Sequence, residues 1–397
     1  MASLPPAAAL VVTRRQRLDI RFTGSGSEYF RIWIVNLLLT IFTLGVYHPW
    51  AKVRRLRYFH GNTLVGGHPL DFHGEPRQMV KGTAVVGAFV LVYAVAGSFR
   101  PGAQAVLVLA ALVATPALLW AALRFRLSHT SWRGLRFGFT GTLAGAYRSQ
   151  WPVLPPLALL LAVALGTAAT ASAPSSGARG AAALAGVMLL GLAMVPLWAH
   201  QQARYRLDHA AFAELHAPLQ AGAGRFYGVF VRTAGVALLV ALAVGLAAAG
   251  IAWRTATPQE GAGPRMLLQW LMQPTAWFTG AALVVAYLAL LWSVRAYHAS
   301  RMQNAIWHGA GSEYVRFHSR LAFLPMFGVS LKNLLLLVLT LGLYWPFAQV
   351  AMARLRLEAV WIELFVDIDA LASKQRGGAS RAVGDAGADA IGMDIGL

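Results

Sequence analysis

Six stretches of this chain contain no Asp, Glu, Lys or Arg: Thr83 to Phe99, Pro101 to Leu123, Ser149 to Ala178, Gly180 to Ala199, Thr233 to Trp253 and Met266 to Val294. An apolar helix needs roughly 20 residues to cross a hydrocarbon core of about 30 Å, so each run is a candidate span. A soluble fold has no place to bury all of them, and the chain is 57% hydrophobic with only 12% charged residues. Two further apolar runs, Ile32 to Ala51 and Asn333 to Ala353, bring the total to eight. The expected fold is an all-α integral membrane protein, a polytopic helical bundle with small extended elements in its cytoplasmic loops.

The formal net charge is +19, which in a soluble chain would point to nucleic acid. Its distribution excludes that class. Lys52 to Gly82, Arg124 to Arg148, His200 to Arg232 and Arg295 to Lys332 hold 20 basic residues. The alternate connections hold Arg100, Arg179, Arg254 and Arg265. Basic residues near helix ends stay cytoplasmic, so the rich loops face the cytoplasm, against anionic lipid. The chain has no cysteine, which removes disulfides and thiolate chemistry. Met1 to Leu10 lacks the basic start and apolar core of a cleavable signal.

The first and last apolar runs are copies of one another. Asn36 to Val53 and Asn333 to Val350 match at 11 of 18 positions, and both centre on Thr-Leu-Gly-x-Tyr-x-Pro. The shared positions include Asn36, Thr43, Gly45, Tyr47 and Pro49 in one copy, and Asn333, Thr340, Gly342, Tyr344 and Pro346 in the other. Gly and Pro four residues apart interrupt a helix, and both copies have basic residues on both flanks. The favoured reading is six spans plus two broken or re-entrant helical segments, with both termini cytoplasmic. A plain eight-span chain with kinked outer helices and external termini is the alternative.

A second repeat runs through the basic loops. Arg57, Asn62, Thr63, Phe72 and Gly74 recur at a constant offset as Arg124, His129, Thr130, Phe139 and Gly141. Weaker versions begin at Arg204 and Arg295. Alternating pieces such as Gly134 to Phe139 read as short hairpin strands, and stacked units of this kind form a cytoplasmic collar. The expected organisation is a tail at 1–20, a membrane domain at 21–366 and a disordered tail at 367–397. Within it, Leu355 to Leu371 is expected as an amphipathic helix.

Arg21-Phe22-Thr23-Gly24, Gly26-Ser27-Glu28-Tyr29-Phe30-Arg31, the Asn36 to Arg54 segment, Phe72-His73-Gly74, His129-Thr130 and the Asn333 copy together resemble the YjgN family of bacterial inner-membrane proteins. The resemblance covers almost the whole chain apart from the tails. It implies a multi-pass inner-membrane protein and no activity, because the family is a domain of unknown function with no functional residues to carry over. The third loop, Ala210 to Gly224, departs from the repeat by lacking the Thr and the Phe-x-Gly.

No catalytic constellation is present, and no cofactor or metal site is expected. His60, His68, His73 and Asp71, and separately His209, Glu214 and His216, lack helical ligand spacing. The eight apolar segments hold no carboxylate, which disfavours a proton relay. Two functions remain. One is a channel or transporter with a pseudo-symmetric site at the duplicated segments, as in inverted-repeat transporters. The other is a non-transport scaffold that contacts anionic headgroups through Arg54, Arg55, Arg57, Arg124, Arg126, Arg204 and Arg206, with interleaved aromatics at the polar boundary. An enzyme and a nucleic-acid partner are not expected.

Overall fold

The computed structural model describes residues 12–99, 102–169, 176–255 and 274–368. Strand β1 (Val12–Phe22) leads into helices α1 (Gly26–Phe42) and α2 (His48–Gly61), then the hairpin β2 (Thr63–Val65) and β3 (His68–Phe72). Helices α3 (Pro76–Phe99) and α4 (Ala103–Ser128) precede β4 (Thr130–Trp132) and β5 (Leu135–Phe139). Next come α5 (Leu143–Arg148), a 3-10 turn, α6 (Leu154–Ala169) and α7 (Ser176–Asp208), followed by β6 (Ala210–Phe212) and β7 (Leu215–His216). Helices α8 (Ala223–Thr255) and α9 (Pro274–Trp307) lead to β8 (Val315–Ser319), and α10 (Phe323–Leu339) and α11 (Trp345–Glu358) lead to β9 (Val360–Val366).

Among the described residues four helices are long and apolar enough to cross a membrane: Pro76–Ser98, Ala103–Ser128, Gly180–Asp208 and Ala223–Ala247. They match four of the six expected spans. The other two, Ser149 to Ala178 and Met266 to Val294, extend outside the described residues, as does nearly all of the expected C-terminal tail.

The described residues are mostly helical, as expected, but the extended elements amount to more than small pieces of separate loops. The extended elements join into one nine-stranded sheet in the order β7-β6-β5-β4-β3-β2-β1-β9-β8. Its two ends are bridged: Leu219 pairs with Ala310, and Gly311 with Arg316. The sheet is therefore nearly closed. Its inner face is filled by Leu18, Val65, Trp132, Leu135, Leu215, Val315 and Leu364, contributed by seven strands, each stabilising by about 1.5–3 kcal/mol on full burial. Trp132 completes the seal by donating Nε1–H to the Val65 carbonyl at 3.2 Å.

The ring closes through the chain ends. β1 lies antiparallel to β9, pairing Leu18 with Ile362 and Asp19 with Trp361, so residues 12–20 of the expected 1–20 tail lie in a strand that runs on to Phe22. The amphipathic helix expected at Leu355 to Leu371 is also corrected: helix ends at Glu358 and Val360–Val366 is strand. The run Val-Trp-Ile-Glu-Leu-Phe-Val, rich in branched and aromatic residues, favours an extended chain, and β1 and β8 supply partners on both edges.

Five helical pairs stand on this ring: α1/α2, α3/α4, α5–α6/α7, α8/α9 and α10/α11. Neighbouring pairs touch around the circle, and α11 packs against α1 to complete it. Both ends of every pair enter the sheet. The four basic connections and the described ends of the chain therefore lie on one side of the molecule.

Candidate functional site

The duplicated segments form two matching helical hairpins. Pro49 and Pro346 sit in the first turns of α2 and α11, where a missing N–H costs nothing. At the reversal, Leu44 and Leu341 take φ near +48° and Gly45 and Gly342 φ near +90°, the left-handed step that ends a helix. Thr43 Nα–H donates to Leu39 O at 3.0 Å, Leu44 to Ile41 O at 3.0 Å, Gly45 to Thr40 O at 2.7 Å, Val46 to Thr43 O at 3.1 Å and His48 to Gly45 O at 3.0 Å. The remaining amide, Tyr47 N–H, donates to the Thr43 hydroxyl oxygen at 3.0 Å. The second copy repeats this, Tyr344 N–H donating to Thr340 Oγ1 at 3.0 Å. No backbone donor in either turn is left over, which is the condition for irregular backbone away from water.

Other motif residues serve the same hairpins. Tyr47 stacks on Trp50 at 6.0 Å and Tyr344 on Phe347 at 5.4 Å. Asn36 and Asn333 are buried, 7% and 6% exposed, and Asn333 Nδ2 donates to Ala348 O across its hairpin at 3.3 Å. The structure brings the two hairpins together, with Phe30 of α1 against Phe347 of α11 at 5.7 Å. Among the described residues no hydrogen bond or ring contact joins one turn to the other. A cavity of about 390 Å³ is lined by Leu91, Val92, Val95 and Ala96 of α3 and by no residue of either turn.

Two sets of bonds run round the ring with the period of the helical pairs. Within each pair, the residue after the incoming strand, or in the fourth pair after the Leu219 bridge, donates its amide to a carbonyl just past the end of the returning helix. These are Thr23 to Asn62 at 2.9 Å, His73 to His129 at 2.8 Å, Thr140 to His209 at 2.9 Å, Gln220 to Gly309 at 2.7 Å and Arg320 to Ala359 at 2.9 Å. Between pairs, a side chain of one returning helix bonds the next carbonyl along the following incoming segment. Arg57 Nη2 donates to Gly74 O at 3.2 Å, Trp120 Nε1 to Gly141 O at 2.7 Å, Asn304 Nδ2 to Leu321 O at 2.9 Å and Arg354 Nη2 to Gly24 O at 2.8 Å, while His200 Nε2 meets Ala221 O at 3.0 Å. All five junctions are clamped, including the one that joins the last pair to the first.

The glycines of Phe-x-Gly fit this junction. A Cβ on Gly74 would meet the Phe72 ring at 2.5 Å, and one on Gly141 the Phe139 ring at 2.6 Å and the Tyr205 hydroxyl at 2.9 Å. Asn62 Nδ2 donates to Tyr58 O at 2.9 Å, and His129 Nδ1 lies 2.8 Å from Phe125 O. Asn62 and His129, which align in the loop repeat, thus meet the carbonyl four residues back in the same way.

Arg54, Arg55, Arg57, Arg124, Arg126, Arg204 and Arg206 are all exposed, on returning helices near the sheet. Arg57 is also a clamp, Arg124 lies 5.5 Å over the Trp120 ring, and Arg204 pairs with Asp208 at 3.1 Å. At the closing seam, Glu363 of β9 is 6% exposed. It is bonded by Arg15, with His318 Nε2 at 3.2 Å and Arg17 4.9 Å over the adjacent Trp361 ring. The Arg15 hydrogen bond holds the Glu363 carboxyl below its ordinary range, against the opposing effect of burial. Among the described residues no three His, Asp or Glu side chains converge on a possible metal; His73 instead meets Ser131 Oγ at 2.7 Å.

The seam and the clamps are absent from the sequence reading, although signals for both are present. Phe22-Thr23-Gly24 repeats Phe72-His73-Gly74 and Phe139-Thr140-Gly141, which marks β1 as the last partner of the ring. The clamps at Trp120 and His200 fall nine residues before the caps at His129 and His209, whereas Arg57, Asn304 and Arg354 fall five before theirs. That switch of position hides the five-fold repetition.

Paired apolar helices rising from a nearly closed, core-filled sheet define the class: an integral membrane protein with an internally repeated ring. The family model described as "Bacterial protein of unknown function (DUF898)" matches residues 17–390, and the chain belongs to that family. It is 32% identical over 152 residues to Inner membrane protein YjgN of Escherichia coli O157:H7, covering 37% of this chain and 36% of that protein. It is also 32% identical over 148 residues to Inner membrane protein YjgN of Salmonella typhimurium, covering 36% of each. The alignments thus span little more than a third of these relatives' length. No solved structure matches the chain.

Proposed function

We propose that this chain is a multi-pass protein of the bacterial inner membrane that serves as a closed scaffold on the anionic cytoplasmic leaflet, and is neither a channel nor an enzyme. The observation that carries the reading is the apolar plug of the sheet. Leu18, Val65, Trp132, Leu135, Leu215, Val315 and Leu364 fill the axis around which the five helical pairs stand, so a path along that axis would have to displace a packed core. The polar groups of the duplicated turns support it, because they are largely spent on their own backbone. The inner-membrane assignment follows the names of the relatives and the one-sided distribution of basic residues.

In this reading the two duplicated hairpins are re-entrant. The apolar part of α1, Ile32 to Phe42, rises about 16 Å at 1.5 Å per residue, half of a core of about 30 Å. Leu44 and Leu341, at the tips, are 96% and 94% exposed and meet acyl chains. The transport reading keeps one observation in its favour: Asn36 Oδ1 and Asn333 Oδ1 are buried without a hydrogen-bond partner.

The absence of cysteine makes a direct test available. Single variants Leu44→Cys, Leu341→Cys and Gly67→Cys are treated in intact cells and inverted vesicles with a membrane-impermeant maleimide. Gly67→Cys should react only from the cytoplasmic side and the two tip variants from neither. Periplasmic labelling of Leu44→Cys would refute re-entry, and cytoplasmic labelling would reveal a water path and favour transport.

A further inference from the structure

Each returning helix ends with a triplet that occupies the fifth, fourth and third positions before the carbonyl that accepts the strand amide: Arg57-Tyr58-Phe59, Arg124-Phe125-Arg126, Arg204-Tyr205-Arg206, Asn304-Ala305-Ile306 and Arg354-Leu355-Arg356. The first position has a partner in every unit. Arg57, Asn304 and Arg354 clamp the next unit, Arg124 lies over Trp120 and Arg204 pairs with Asp208. The middle position packs inward: Tyr58 and Tyr205 are buried, and Phe125 lies against Phe72. The third position divides. Phe59 and Ile306 join apolar clusters, and Arg356 Nε donates to Gln303 Oε1 at 2.8 Å. Arg126 and Arg206 remain, exposed and without a hydrogen-bond or carboxylate partner among the described residues.

These two belong to neighbouring units. Their helices feed β4 and β6, which lie on either side of β5, so the helix ends stand two strand spacings apart, about 10 Å. Two extended arginine side chains are long enough to span that gap. Two guanidinium groups held together without an anion repel, and their planar donor forks match the oxygens of a phosphate group. Both helix ends are on the basic side of the molecule, where pockets between membrane helices take anionic headgroups.

We infer that Arg126 and Arg206 form a binding site for one phosphate group, supplied by an anionic phospholipid headgroup or by free phosphate. The lipid source rests on the scaffold reading above, whereas the phosphate chemistry does not. A site of this kind would fix the scaffold to particular lipids, beyond general attraction to a charged surface.

The test uses the full chain, delipidated in a neutral detergent. Dioleoylphosphatidylglycerol in mixed micelles and, separately, inorganic phosphate are titrated against wild type, the Arg126→Gln/Arg206→Gln variant and an Arg21→Gln/Arg77→Gln control of equal charge loss at exposed positions. Loss of charge-assisted bonds should weaken binding by about tenfold or more in the first variant only. Arg126→Lys/Arg206→Lys should bind with intermediate affinity, because charge is kept and the fork is lost. Thermal unfolding in lipid-free detergent should show Arg126→Gln at least as stable as wild type, since repulsion is relieved, which separates lost binding from lost folding. Selective loss of phosphatidylglycerol binding supports the lipid source. Selective loss of inorganic phosphate binding alone supports the site but overturns the lipid source and, with it, this support for the scaffold reading. Equal loss in the Arg21/Arg77 control, or no loss in either variant, overturns the site.

Discussion

Replacement of Thr43 by Val tests the hairpin turn and its surroundings together. Val keeps the shape of Thr but removes the oxygen that accepts Tyr47 N–H at 3.0 Å and donates to Leu39 O at 2.7 Å. Leu39 O also receives the Thr43 amide, so the amide of Tyr47 is the group stranded. An unpaired buried donor costs about 1–3 kcal/mol, and more in hydrocarbon, where no water can replace the lost acceptor. If the turn faced water, the cost would be no more than about 0.5 kcal/mol, as for most surface changes. The size of the effect therefore reports the solvent around the tip. Thermal unfolding of the full chain in nanodiscs, followed by tryptophan fluorescence, should show Thr43→Val lowered by roughly 2–4 °C per kcal/mol and Thr43→Ser close to wild type. Thr340→Val should behave alike, and the double variant should add within about 0.5 kcal/mol, because the turns share no partner. Unfolding of Thr43→Val at the wild-type temperature would refute both the role of the hydroxyl and the re-entrant placement.

Gly74→Ala and Gly141→Ala should each destabilise by about 1–3 kcal/mol through overpacking against Phe72 and Phe139, whereas Gly82→Ala, with nothing within 4 Å, should be neutral or stabilising in the same thermal assay. Trp120→Phe should cost about 1–2 kcal/mol by removing the Nε1 clamp on Gly141 O, with a matching rise in cleavage by added protease near that junction. Glu363→Gln should flatten the acid limb of the stability curve. The folded carboxyl is held below its ordinary value of 4.5 by Arg15, so its contribution is present above that value and is lost as pH falls through the folded one. Unfolding measured between pH 3 and 6 should show wild type losing its advantage over the variant in that window, and parallel curves would refute the role of the seam.

The legible part of this fold was what periodicity and charge encode locally. Uncharged runs located the long helices, and the imbalance between alternate loops grouped the basic connections that the ring places on one side. The duplicated turn was legible because Thr, Gly and Pro each solve a local backbone problem. Strands of three residues such as Thr63–Val65 or Ala210–Phe212 carry too little alternation to be read as parts of one sheet. Their stability comes from neighbours contributed by distant units, as in the pairing of Phe137 with Phe212. The clamps were hidden for a related reason: Arg57, Trp120, His200 and Asn304 share a function and no chemical type beyond an N–H donor.

Closure of the ring explains why the chain ends resemble each other. A helical pair in the interior of the series has neighbours on both sides, but the first and last must find each other. They do so through β1 with β9, Arg354 on Gly24 and the Arg15–Glu363–His318 group. Like hairpins at the two ends make that junction a continuation of the repeat, with α11 against α1 where a pair of unlike height would leave a step. The seam is the one junction of the ring with no covalent link across it. The Arg15–Glu363–His318 group lies across it, and loosening that group is the change by which the ring could open without unfolding any single unit.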